Sequence, residues 1–518
     1  MSLIKSFTTV GTFTIVSRIF GFLRDFLMAE FIGAGLIMDA LVIAIKVPSF
    51  FRRLFAEGAF NATFVPLFAG ALSTKGKQEA QTYAEEIMSF LVLIIIGLII
   101  IFELFTPFCM SILTPGFKAT PERFELAITF SRITFPYLLL ISLTALYSGI
   151  LNSLDRFAAA ALSPAIGNIF ICLIMLLTHK NTHIGEIVAT SILFSGFVQL
   201  LCVLIPSHQN GIKLRLLKPR LTPRIKEFLT RMIPGAVGSG VVQINLFIGT
   251  IIASCLPVGG VSYLYFADRL NQLPLSVIGT AISTALLPLM ARQLKKGDTA
   301  AALHNQNRSL EFGLLLVFPA TIALILAAHP FVTVLFERGK FTAFDAYQTS
   351  LTLMAYACGL PAYILIKIFV TSFFAREDTK TPVIIAAIAV VVDIGLSLLF
   401  FIPFKHVGIA LATAVASWVN AFLLGYLLKK RKLLDFDHRL KRFMPRLLGV
   451  SVITGGIIYT VVTLTDSLAH SPVLIERILA LFCIVLAGLL VFFGLIYMTK
   501  AVNFKDFDKT SKKDIPLS

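Results

Sequence analysis

Arg18, Arg24, Arg52, Arg53 and Arg269 lie inside or at the edge of stretches otherwise apolar enough to cross a bilayer. One arginine at the centre of a membrane helix costs about 2.5–3.5 kcal/mol, so five facing lipid would cost on the order of 12–17 kcal/mol. That cost predicts that they face water, acidic partners or an anionic ligand within the protein. The guanidinium fork matches phosphate oxygens in two-point contacts, so a diphosphate suits these side chains well.

Ser17, Arg18, Gly21, Arg24 and Asp25 form the run SRIFGFLRD. Arg18 and Arg24 stand about 120° apart on an ideal helix, and a bend at Gly21 would bring them together. The alternative is that Arg24 and Asp25 reach from a helix end to the membrane interface. Asp39, Lys46 and Arg53 recur every seven residues, with Glu57 four further on and Arg52 to one side. This spacing stacks them on one helical face and predicts either a wet groove or a self-neutralising structural network. Tyr265, Arg269 and Gln272 share another face, beside Asp268. Asp393, isolated in an apolar helix, is a candidate ligand for Na+ or a proton and equally a candidate helix–helix hydrogen-bonding group.

Membrane helices must position these groups. Of 518 residues, 57% are hydrophobic and 14% charged, and the mean hydropathy is +0.88. About fourteen spans are expected, at 8–31, 36–68, 86–112, 125–151, 157–178, 184–206, 227–256, 261–291, 308–333, 345–374, 382–402, 407–428, 444–466 and 475–499. The fold class is therefore all-α and polytopic. Pro66 and Pro288, Pro136 and Pro361, and Pro164 and Pro382 are each offset by about 220 residues, in similar local sequence. Matching features fall on the same side of the membrane. This predicts two six-helix lobes related by a parallel pseudo-two-fold repeat, then two additional helices. The expected divisions are an N-lobe at 1–206, a cytoplasmic linker at 207–226, a C-lobe at 227–431, two helices at 432–500 and a basic tail at 501–518. Two lobes around a shared cavity suit alternating access.

The net charge of +17 does not indicate nucleic-acid binding. Its densest groups, Lys213–Lys226, Arg292–Lys296, Lys429–Arg446 and Lys500–Lys513, alternate with the spans as cytoplasmic loops and tails should. They place both termini in the cytoplasm and touch anionic membrane lipids. Six scattered cysteines without a CxxC pair, and eight histidines without an HExxH pattern, predict no metal or cofactor. A drug antiporter for organic cations would prefer carboxylates to arginines. The reading is a transporter and not an enzyme.

SRIFGFLRD (17–25), FRRLFAEGAF (51–60) with FVP (64–66), YFADRL (265–270) and GKFTAFDA (339–346) resemble the MurJ/MviN family over essentially the whole chain. These are lipid II flippases of the multidrug/oligosaccharidyl-lipid/polysaccharide exporter superfamily. The resemblance implies a multi-pass protein of the bacterial inner membrane that carries undecaprenyl-diphosphate-linked peptidoglycan precursor to the outer leaflet for cell-wall growth. It implies substrate-binding roles for Arg18, Arg24, Arg52 and Arg269, with Asp39 and Glu57 in a charged network. It also implies that the two additional helices form a groove admitting the lipid tail. Gln272 departs from members with a carboxylate there. Residues 233–256 contain no acid, unlike members that bind sodium on the seventh span. The expected partner is lipid II bound by a monomer, with Na+, H+ or the membrane potential as driving force. The alternative is a flippase for another polyprenyl-diphosphate-linked oligosaccharide.

Overall fold

A computed structural model describes residues 3–55, 59–471 and 473–499, and every regular element among them is helical. Hydrocarbon offers backbone groups no water to bond, so a spanning chain must satisfy them within each helix. The first six expected spans are carried by α1 (Leu3–Ile32), α2 (Leu36–Phe55) with α3 (Ala59–Lys75), α4 (Lys77–Leu113), α5 (Pro121–Thr134) with α6 (Tyr137–Ser153), α7 (Phe157–Thr178) and α8 (Ile184–Gln209). The next four fall on α9 (Pro223–Ser254), α10 (Gly260–Lys295), α11 (Thr299–Leu326) with α12 (Ala328–Phe336), and α13 (Ala343–Ala357) with α14 (Leu360–Phe374). The chain ends with α15 (Lys380–Lys430), α16 (His438–Leu464), the short α17 (Asp466–Ala469) and α18 (Leu474–Met498). Ten helical segments among the described residues are long and apolar enough to cross a membrane. The expected tail at 501–518 lies outside the described residues.

Two compact units result. The first runs to Tyr265 and also contains Arg338–Asp345; the second holds Phe266–Glu337 and the chain from Ala346 onward. The division therefore falls within α10, whereas the sequence places it at 207–226. The reason is packing, because α9 lies against α2, α3 and α4. The linker is also strapped to α4. Gln81 donates to the Lys213 carbonyl, Glu85 accepts from the Arg215 amide, and Arg224 reaches Glu79 at 2.6 Å and Glu86 at 3.4 Å. Thr222 accepts from the Ile225 amide to cap α9, ahead of Pro223 at the first helical position.

Within the first unit, Phe60, Phe64 and Phe68 recur every four residues of α3, fully buried and stacked at 5.5 and 5.6 Å. The Tyr83 ring of α4 continues the stack. Such interlocking substitutes for the hydrophobic drive that lipid removes. Segment 338–345 is held against the end of α1. The Lys340 amide donates to the Glu30 carbonyl at 2.9 Å, and the Arg338 guanidinium lies 4.0 Å over the Phe26 ring. Gly339 has φ +56°, and a Cβ there would sit 2.2 Å from the Glu30 oxygen.

In the second unit α15 has 51 residues, which as a straight helix would run about 76 Å, far beyond a bilayer. It instead doubles back at Lys405, where φ is 50°, just after Pro403. The return brings Arg431, at its end, 2.7 Å from Asp378, just before its start. The Asp378 carboxylate also accepts from the Thr381 amide and hydroxyl. Large apolar side chains cover the outside of the later helices, including Ile384, Ile402, Val452, Phe482 and Leu490, as expected when hydrocarbon is the solvent.

Gly339→Ala is expected to destabilise by more than about 1 kcal/mol, because it adds left-handed backbone strain to a backbone clash. A lower thermal unfolding midpoint of the purified protein checks this. The Thr381 amide and hydroxyl, then Arg431, hold the Asp378 carboxyl down to about 2. The stability it contributes is therefore present above about pH 4 and fades as pH falls toward 2. The difference in unfolding midpoint between the parent and Asp378→Asn should follow that course.

Candidate functional site

The charges of the first unit separate into those bound up in packing and those left facing outward. Asp39, in the first turn of α2, is fully buried. Its Oδ2 lies 2.7 Å from the Arg123 guanidinium and accepts from the Gly259 amide at 2.8 Å. Its Oδ1 accepts from the Ser262 amide at 2.8 Å and the Ser262 hydroxyl at 2.6 Å. The carboxylate thus caps the N-terminus of α10 from another helix, where an anion is favoured. Arg123 donates to the Leu256 carbonyl at 2.9 Å and lies 3.7 Å over the Phe117 ring. Gly116 permits this approach, since a Cβ there would lie 2.4 Å from the Cys255 Cα.

This corrects the reading of Asp39 as part of a cavity stripe with Lys46 and Arg53. Sharing a helix face does not decide the environment, because Asp39 meets α5 and α10 while Lys46 and Arg53 are exposed. Glu57, the remaining member, lies outside the described residues. Arg123 is absent from the sequence-based candidates. Its setting after Pro121 and Glu122 reads as an exposed helix start, and only its buried partner distinguishes it.

A second network joins α1, α7 and the start of α10. Arg24, 18% exposed, contacts the buried Asp25 at 2.7 Å, Asn168 at 3.1 Å and the Tyr265 hydroxyl at 3.5 Å. Tyr265 in turn donates to Asp25 at 2.7 Å. α1 runs unbroken through Gly21, which lies beside Asn168. Ser17 is half-buried and Arg18 exposed, alongside the exposed Ile15 and Ile19. On α2, Arg52 is half-buried. The exposed or partly exposed cations of this unit's expected site are therefore Arg18, Arg24, Lys46, Arg52 and Arg53.

A third set closes the α10 corner, where Tyr263 donates to Asp345 at 2.9 Å. The other oxygen of Asp345 accepts from the amide and hydroxyl of Thr342.

In the second unit Asp268 and Arg269 are half-buried on α10, and the exposed Gln272 donates to Asp268. Half-buried Asp393 accepts from Thr413 at 3.2 Å. Glu311 sits between Arg308 at 2.6 Å and Arg439 at 3.2 Å, and Arg308 also meets Asp437. Asp437 caps α16 through the Leu440 amide. Arg308 and Arg439 border a cavity of about 530 Å³. A second cavity of about 360 Å³ is almost wholly apolar, formed by α10, α11, α12, α16 and α18 around Leu273, Pro319, Phe331, Ile458, Gly488 and Phe493. It involves both additional helices, α16 and α18.

Removing either Asp39 or Arg123 leaves a buried charge uncompensated, which costs roughly 3–5 kcal/mol. Asp39→Asn and Arg123→Met should each lower the unfolding midpoint, and the double variant should lose less than the sum. The charge-reversed pair Asp39→Arg with Arg123→Asp should stay unstable, because the α10 amides need an anion.

The chain matches the family described as "Lipid II flippase MurJ" over residues 28–479. It is 41% identical over 503 residues to a probable lipid II flippase MurJ of Rhizobium meliloti (strain 1021), covering 96% of this chain and 94% of that protein. It is 35% identical to the Rickettsia prowazekii (strain Madrid E) protein of the same description, covering 98% of this chain and 100% of the relative. A solved structure of a lipid II flippase MurJ in an inward closed conformation superposes with a TM-score of 0.79 at 27% identity, over 96% of this chain and 99% of that one. An inward-facing multidrug resistance MATE family transporter shares the fold, with a TM-score of 0.66 at 14% identity over 82% of this chain and 98% of its own. With its long apolar helices, this polytopic membrane protein belongs to the MurJ family of lipid II flippases.

Proposed function

We propose that the protein carries lipid II from the inner to the outer leaflet of the bacterial cytoplasmic membrane by alternating access, as a monomer with both termini in the cytoplasm. The observation that carries the reading is a set of cations at a cost no membrane helix bears idly. In the first unit Arg24 is held beside Asp25, and Arg18 and Arg53 are exposed, in helices of a flippase-family chain. Arg18, Arg24, Arg52, Arg53 and Arg269 receive the diphosphate, and Arg24 is positioned for it by Asp25, Asn168 and Tyr265. The apolar cavity against α16 and α18 takes part of the polyprenyl tail.

The driving force is the membrane potential. An inside-negative potential favours outward movement of an anion by about 2.3 kcal/mol per charge per 100 mV. Asp393 with Thr413 is the place where H+ or Na+ would couple.

In cells depleted of the protein, lipid II should stay on the cytoplasmic leaflet and the parent chain should restore its exposure. Arg18→Ala, Arg53→Ala and Arg269→Ala should each lower that exposure roughly ten- to hundredfold at equal protein level, the scale of one charge-assisted hydrogen bond. In vesicles, collapsing the potential should slow transport. Full rescue by all three variants would remove the diphosphate-binding role. Lipid II exposure unchanged by depletion, with another polyprenyl-diphosphate oligosaccharide trapped instead, would move the substrate to that lipid.

A further inference from the structure

His329 near the start of α12 and His470 just after α17 face each other in the second unit. Their Nε2 atoms are 3.4 Å apart, with ring centroids at 5.5 Å and planes inclined by 39°. His470 Nδ1 lies 2.9 Å from the Asp466 carbonyl oxygen. A carbonyl can only accept, so Nδ1 carries the proton and Nε2 presents a lone pair. The Asp466 carboxylate is 3.4 Å from the same Nδ1. His329 Nδ1 is buried with no hydrogen-bond partner among the described residues that would fix its tautomer, so its Nε2 can present a lone pair as well.

We infer that His329 and His470 form a two-imidazole site for a transition-metal dication of the zinc or copper type. A tetrahedral ion bound at 2.0–2.1 Å spans two nitrogens about 3.3–3.4 Å apart, which matches the Nε2–Nε2 separation of this pair. Imidazole suits zinc, copper and nickel. The proton on His470 Nδ1, directed at Asp466, is the outer contact that orients and strengthens a metal-binding histidine. The carboxylates of Glu337 and Asp466 lie within electrostatic reach of His329 and add favourable negative charge. The nearby cation, Arg477, is drawn to the Glu337 carbonyl at 3.0 Å and its carboxylate at 3.9 Å. His470 is 48% exposed, so water can fill the remaining coordination positions. A bound ion would staple the turn between α16 and α18 to α12.

The test uses the full chain in detergent with its affinity tag removed. A His183→Ala background removes one of the two other histidines close in sequence, His179 and His183. Cu2+ is titrated and the bound imidazoles are counted from nitrogen modulation of its electron spin echo. The expected result is one ion with a two-imidazole signature. His329→Ala and His470→Gln should each leave one imidazole and weaken Cu2+ binding at least about tenfold. Zn2+ should raise the unfolding midpoint of the parent and not of these variants. A one-imidazole signature in the parent, or unchanged affinity in both variants, would overturn the site and leave an ordinary imidazole–imidazole hydrogen bond.

Discussion

A single carboxylate, Asp39, draws together three parts of the first unit that are remote in sequence. It belongs to α2, pairs with Arg123 of α5, and takes two backbone amides and a hydroxyl at the start of α10. Through Arg123 it also fixes the carbonyl of Leu256 and the ring of Phe117. Burying a charge is tolerable only when its partners are supplied in full. Here a guanidinium and a helix terminus supply them together, so the helices cannot rearrange around this point without exposing a bare ion. The angle at which α9 turns into α10 is set by that requirement, and Tyr263 and Tyr265, on the first turns of α10, follow from it.

The same economy explains which cations are available. Arg123 is consumed by Asp39, Arg224 by Glu79 and Glu86, and Arg308 by Glu311 and Asp437. Arg24 is intermediate, because one neighbour neutralises it while Asn168 and Tyr265 aim it. A guanidinium held in this way loses little freedom when it meets a phosphate, which is the advantage of a pre-organised fork. Arg18 and Arg53 are exposed, so they can respond to a mobile ligand.

The spans were legible because hydrocarbon thickness fixes helix length and apolar runs have few other uses. Their breaks were less so: one run at 125–151 is two helices meeting at Phe135–Pro136, and the run at 36–68 is shared by α2 and α3. Of the site, helix periodicity correctly placed Asp39, Lys46 and Arg53 along one helix, yet it could not tell which neighbour each would meet. Asp39 and Arg123 are far apart in sequence, and no local pattern announces their pairing. The run GKFTAFDA was visible as a motif, but its physical reasons were not. Gly339 accommodates the Glu30 carbonyl, and Asp345 joins the Thr342 turn to Tyr263. The acids at 435 and 437 form a D-x-D that could suggest metal chemistry, and the fold uses the second to cap α16.

Arg338–Asp345 belongs to the first unit although the rest of that unit ends at Tyr265. During synthesis the ribosome must add about 80 residues after Tyr265 before this piece emerges, a delay of about 4–16 s at 5–20 residues per second. Until then Tyr263 lacks Asp345, and the end of α1 lacks the turn that is held against it. The amino-terminal half is thus assembled in two instalments. A chaperone or insertase holding nascent helices through that interval would be guarding a half-finished domain, not a finished one waiting for its sibling.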